Sequence, residues 1–186
     1  MEASRNDSAS PLNITSADWQ NLPRTLIVGY GNPDRQDDGV AWQVLHTIAQ
    51  RFQIPISSDT DLGIFPEGNQ LDFWFNLQLM PEMAPDMVEY ERICFIDAHT
   101  GAIPQQIRIE PIQSKFQNSP LTHHLTPETI VSMLEHLYQH TPQAILVSIR
   151  GYQFRFERSL SPETYILSQQ AAERIISWIL SGQIEE

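Results

Sequence analysis

The chain has 186 residues, 41% hydrophobic and with four Trp, enough for one domain with a sizeable core and too apolar for a disordered chain. Eleven Lys and Arg stand against 23 Asp and Glu, and the net charge of −12 argues against nucleic acid or an anionic membrane surface as the main partner. The single cysteine, Cys94, excludes an internal disulfide framework, and no apolar run reaches the length of a membrane span.

In chain order, residues 1–22 are rich in Ser, Asn and Asp and read as a flexible tail, with Trp19 able to dock on the body. The tail is too polar for a secretory signal, so the cytoplasm is the expected compartment. Residues 23–186 then read as a single α/β domain. Residues 25–28 form a short strand, apolar on both faces and hence central. From 38 to 52, Val40, Ala41, Val44, Leu45, Ile48 and Phe52 recur at helical spacing. Residues 53–70 read as loop, and 71–79 alternate as a half-exposed second strand. A short acidic helix is expected within 81–91, followed by a third strand, 93–97, that ends in a carboxylate. Residues 106–111 read as an edge strand. Thr126-Pro-Glu and Ser161-Pro-Glu are helix starts, each with a cap, a proline at the first position and an acid in the first turn. The second of these helices runs to about 181, and between the two lies a buried strand, 144–149. Strands alternating with helices predict a three-layer α/β domain, its mostly parallel twisted sheet covered by helices on both faces.

Chemistry concentrates between Ile27 and Gly39. A strand runs into the turn Gly29-Tyr-Gly31, then Asn32, then the adjacent carboxylates Asp37 and Asp38. The two glycines imitate a dinucleotide fingerprint, but the third is missing, and the acidic step that follows would repel a pyrophosphate. Asp97 closes the third strand, and the pair His123-His124 precedes a helix start. In a parallel sheet the carboxyl ends of neighbouring strands converge where ligands bind. Two carboxylates and an imidazole suit nickel, zinc, iron or manganese and leave coordination positions open. Plainer roles compete. Asp37 or Asp38 suits a helix cap, a role Asp37 keeps, and Asp97 suits a turn. His99 is a fourth candidate or a loop residue, while His46, His136 and His140 fall on helices and read as surface residues. Cys94 lies in an apolar run and reads as a buried structural thiol. No Gly-x-Ser-x-Gly elbow is present.

These residues resemble the nickel-iron hydrogenase maturation proteases, which trim the C-terminal tail of the hydrogenase large subunit. The opening pattern of that family appears as Gly29-Tyr-Gly31-Asn32 and Asp37-Asp38-Gly39. Its apolar strand ending in Asp-Ala matches Ile93 to Asp97-Ala98, and its His before a Leu-x-Pro helix start matches His123-His124-Leu125-Thr126-Pro127. Echoes at Gln78-Leu79-Met80-Pro81-Glu82, Gly151 and Leu160-Ser-Pro162 extend the likeness over residues 25 to 180. Ala41, where a glycine is common, the insertion at 53–70 and the long tail depart from the pattern.

The resemblance implies an endopeptidase, aspartic-type or metal-dependent, that cuts a nickel-loaded large-subunit precursor. It assigns the metal contacts to Asp38, Asp97 and His123, with His124 competing for the third place, and the catalytic work to Asp38 or Asp97. Gly31, Asn32 and His124 are then expected to touch substrate. The nickel arrives with the substrate, so no permanently bound cofactor is expected. Two rivals remain: a non-catalytic metal-sensing or hydrogenase-binding chaperone, and peptidyl-tRNA hydrolase. The latter shares the Ile-Val-Gly-x-Gly-Asn-Pro opening but needs a Thr-Arg-His-Asn step where this chain has Asp-Asp-Gly.

Overall fold

Among the described residues, five strands form one sheet in the order β2-β1-β3-β5-β4: β1 Thr25–Tyr30, β2 Leu71–Asn76, β3 Arg92–His99, β4 Ile107–Pro111 and β5 Gln143–Arg150. The computed structural model describes residue 14 and residues 21–56, 67–114 and 125–184. β1 pairs in parallel with β2 on one side and β3 on the other, and β3 pairs in parallel with β5. β4 alone is antiparallel and closes an edge. The expected mostly parallel α/β sheet is therefore present. Chain order reverses direction between β1 and β3, the switch point at which ligands bind in such sheets.

Four α-helices cover the two faces: α1 Val40–Arg51, α2 Ala84–Met87, α3 Pro127–Tyr138 and α4 Pro162–Ser181. On one face Ile27, Phe73, Phe75, Cys94, Ile96, Val147 and Ile149 pack with α1 and α4. On the other, Leu26, Val28, Trp74, Ile93 and Phe95 pack with α2 and α3. The strands are buried on both sides because each face is roofed by a helix layer, which is why they read as continuous apolar runs. Gly29 allows α1 to lie close: a Cβ there would stand 3.0 Å from the Cβ of Ala41 and 3.1 Å from Leu45. Ala41 thus occupies space that a larger residue at 29 would need.

Both helix starts that the sequence marks are caps. Thr126 accepts from the Thr129 N–H at 3.4 Å, and Ser161 Oγ from the Thr164 N–H at 3.3 Å. Three expectations change. The first helix begins as a 3-10 turn, Gln36–Gly39, and becomes α-helical only at Val40. The acidic stretch after β2 is a 3-10 turn, Pro81–Met83, running into the single turn of α2. β2 ends at Asn76 and is buried on both faces rather than half-exposed. Its polar residue, Asp72, is buried because the Tyr90 hydroxyl (2.6 Å) and the Gly68 and Asn69 N–H groups (2.8 and 3.0 Å) all donate to its carboxylate. Beyond the strand Leu77 turns out to solvent, while Leu79 is buried. Trp19 lies outside the described residues.

Cys94 is fully buried in the α1/α4 layer, and burial pushes its thiol well above the usual range. It stays protonated, as the structural reading requires. Cys94→Ser, which puts a hydroxyl into that apolar slot, should cost about 1–3 kcal/mol, seen as a lower urea midpoint with unchanged slope.

Candidate active site

The turn after β1 sends two neighbouring carboxylates to different tasks. Gly31 makes this turn: its φ of 134° lies outside the reach of most side chains, and a Cβ there would strike the backbone oxygen of Asp38. The chain then folds back, with Arg35 N–H on the Asn32 carbonyl (3.0 Å) and Asp38 N–H on that of Arg35 (3.2 Å).

Asp37 turns away from the cleft and is fully buried. Its Oδ2 accepts from the Tyr152 N–H (2.7 Å), the Gln153 N–H (2.8 Å) and the Ser161 hydroxyl (2.7 Å), and its Oδ1 from the Ser161 N–H (2.7 Å). Burial alone would raise its pKa, but these donors, Ser161 foremost, outweigh it and hold the carboxyl below the ordinary value. Neither Asp37 nor Asp38 caps a helix: the 3-10 turn and α1 both lack a side-chain cap bond. The structural role expected for Asp37 exists, but it fastens a segment more than 100 residues away. Gln36 shares the task in a left-handed conformation, φ 50°. Its N–H donates to the Glu157 carbonyl (2.7 Å), and its Oε1 accepts from the Arg155 N–H (3.0 Å).

Asp38 faces the other way. Its Oδ2 accepts from the Asn32 N–H at 2.9 Å, so the turn itself orients it. Across the switch point, β1 and β3 run in register with Gly29 opposite Ile96, which sets Tyr30 level with Asp97. The Tyr30 phenol and the Asp97 carboxyl are thereby close enough to shift each other's ionisation. Burial, together with the negative charge of Asp38, raises the Asp97 pKa to about 7, against the lowering effect of the Ala98 N–H and of Tyr30. Burial and the Asp97 charge in turn push the Tyr30 phenol far up, so it stays a donor.

A cavity of about 310 Å³ opens over this pair. Its walls are Tyr30, Gly31, Asp38, the post-β2 residues Leu77 to Leu79, Asp97, and Leu125 to Pro127 at the start of α3. Stretches some 100 residues apart in the chain, which the sequence singled out one by one, thus line one space. Asn32 does not line it: its backbone N–H orients Asp38, and its side-chain oxygen accepts from the Asp34 N–H. His123 and His124 lie outside the described residues. Among the described residues, no three His, Cys, Asp or Glu side chains gather to hold a metal ion; Asp38 and Asp97 are the donors placed together. His99 ends β3, with its Nδ1 accepting from the Gly101 N–H at 3.2 Å, and does not line the cavity. Of the helix histidines, His46 is half-buried against Trp42 (4.5 Å between rings), and His140 lies beyond α3, its Nε2 2.7 Å from the Tyr90 carbonyl. Neither is the plain surface residue expected.

Sequence reasoning missed Tyr30. Its signal was the strand alternation Leu26, Val28, Tyr30, which points it to the α3 face, but only the pairing of β1 with β3 puts Asp97 beside it.

Neither a family model nor a curated relative matches the sequence. Solved structures do match in fold. The hydrogenase maturating endopeptidase HybD of E. coli aligns with a TM-score of 0.64 at 16% identity, over 87% of this chain and 95% of that one. An endopeptidase from Escherichia coli gives 0.61 at 17%, over 87% and 95%. The [NiFe] hydrogenase maturation protease HycI of Thermococcus kodakarensis gives 0.58 at 16%, over 88% and 96%. At these identities the likeness establishes a common fold over nearly the whole of each neighbour.

The two carboxylates of the opening turn should respond oppositely to mutation. Asp37→Ala strands four donors and should cost about 3 kcal/mol or more, whereas Asp38→Asn should change the urea midpoint little. Stability owed to Asp37 is complete above the ordinary carboxylate value of 3.8 and is lost as pH falls through its lower folded-state value. Asp97 has the opposite sign: with a folded-state pKa of about 7 against 3.8, it takes stability away as pH rises between those values. Asp97→Asn should flatten that decline when urea midpoints are followed from about pH 4 to about pH 7.

Proposed function

We propose that this chain is an endopeptidase that removes the C-terminal extension of a nickel-loaded [NiFe] hydrogenase large-subunit precursor. The supporting observation is the cavity at the switch point. Gly31 of the opening turn, Asp38, the Gln78-Leu79 step, Asp97 and the Leu125-Thr126-Pro127 helix start, all parts of the family resemblance, meet there. The fold is one that solved hydrogenase maturation proteases share.

Nickel is cargo of the substrate in this reading. Asp38 and Asp97 offer oxygen donors from two adjacent strand ends, and His123 supplies the nitrogen donor, with His124 beside it for substrate contact. A carboxylate pair whose mutual repulsion helps lift Asp97 to about 7 is suited to receive a cation. Asp38, tied to the Asn32 N–H, is the orienting ligand. Asp97 is the better base. It takes a proton from the attacking water and returns it to the leaving amine, so that the peptide bond breaks with no net change in the enzyme. Tyr30 lines the cavity beside Asp97.

Purified protein incubated with nickel-loaded precursor should shorten it, seen as a mobility shift, and nickel-free precursor should stay uncut. Asp38→Asn and His123→Ala should slow processing by roughly 100-fold or more while melting as wild type does. Binding without cleavage would establish the chaperone instead. Indifference to the precursor would remove both readings.

A further inference from the structure

The segment that Asp37 fastens down is held more firmly than a connection between β5 and α4 requires. Besides the four bonds to Asp37, the Asp37 N–H donates to the Gln153 carbonyl (3.1 Å), the Glu157 N–H to that of Asp34 (3.0 Å), and Arg158 pairs with Asp34 at 2.5 Å. Yet its outer face carries Phe156, 87% exposed, the most exposed large hydrophobic side chain among the described residues. The Arg35 guanidinium lies over the Phe156 ring, 5.7 Å from its centre. Arg155 is exposed one residue away, and among the described residues neither Arg35 nor Arg155 pairs with a carboxylate. Three of the chain's 11 basic residues, Arg35, Arg155 and Arg158, belong to this segment or the turn it grips; of the carboxylates beside them, Asp34 is paired with Arg158, and Glu157 accepts from Gln36 and Ser159.

We infer that this rim, Phe156 between Arg35 and Arg155, is a docking surface for an acidic patch with an apolar centre on the same precursor, outside the part that is cleaved. The inference rests on the protease reading above and adds where the partner sits. Charge complementarity selects the occupant. In a chain of net charge −12, a local basic rim draws an anionic surface to one place and leaves it repelled elsewhere, which orients the encounter. An exposed aromatic flanked by arginines is the composition from which interface hot spots are built. A second copy of this chain fits poorly, because a two-fold contact through the rim would set arginine against arginine. The backbone is already fixed, so docking costs little ordering entropy. Arg35 and Asp38 also share one turn, so a partner seated on the rim is held in register with the cleft.

The test is the steady-state kinetics of precursor processing by Phe156→Ala and Arg155→Glu, with melting temperatures as the folding control. Both side chains are exposed, so both variants should melt as wild type does. Each should raise KM roughly tenfold with kcat unchanged, and Arg155→Glu should also flatten the dependence of KM on salt. An unchanged KM, or a fall in kcat at constant KM, overturns the docking surface, as does a dimer of this chain that Phe156→Ala dissolves. If wild-type protein neither binds nor cuts the precursor, the protease reading fails instead. Wild-type cutting with variants of wild-type KM removes the docking surface alone.

Discussion

A carboxylate taken wholly out of water is costly unless its lone pairs are filled, and Asp37 fills them with four donors from residues 152–161. The layout of the cleft follows from that. Because Asp37 is committed inward, the tight turn from Gly31 to Gly39 has one conformation, and its neighbour Asp38 is presented at the mouth of the sheet. Ser161 serves both ends: its backbone and hydroxyl bind Asp37, and the same hydroxyl accepts the N–H of Thr164 to start α4. One interaction thus joins the first turn of the domain, the last connection and the last helix.

The other half of the cleft is built on the opposite policy. Asp97 is half-buried beside a second negative charge, and its carboxyl holds its proton up to about pH 7. Such a group costs stability once ionised. Helices on both faces make room for that cost, since the strands carrying Asp97 and Tyr30 are anchored by Ile93, Phe95, Leu26 and Val28 in one continuous layer. One side of the switch point thus carries a fully satisfied carboxylate, Asp37, and the cavity is lined by Asp38 and the Asp97 whose pKa is raised.

Much of this was legible in the chain. Apolar runs over 25–28, 93–97 and 144–149 gave buried parallel strands because two-sided burial leaves no alternation to mistake. Thr126 and Ser161 marked helix starts because the proline and acid that follow them have no better place. Alternation misled at β2: Asp72 reads as a solvent-facing residue, but the local Gly68 and Asn69 N–H groups and Tyr90, 18 positions on, together satisfy it inside. The helix-cap reading failed at Asp37 for a related reason. A cap is a local bond, and the donors that Asp37 uses lie more than 100 residues ahead in sequence. Local pattern gives elements and their ends. It does not give the partners of a buried polar group, and Asp37, Asp72 and Tyr30 are all of that kind.

The bond between Asp37 and Ser161 spans 124 residues, so the turn bearing Asp38 is synthesised well before the segment that fixes it. Closing so long a loop is a late event in folding, because its entropic cost must be met before the bond can repay it. On the ribosome, β1 and β3 can pair while the opening turn still lacks its fastener. A chain interrupted before residue 161 would then carry both carboxylates without the geometry that aims them.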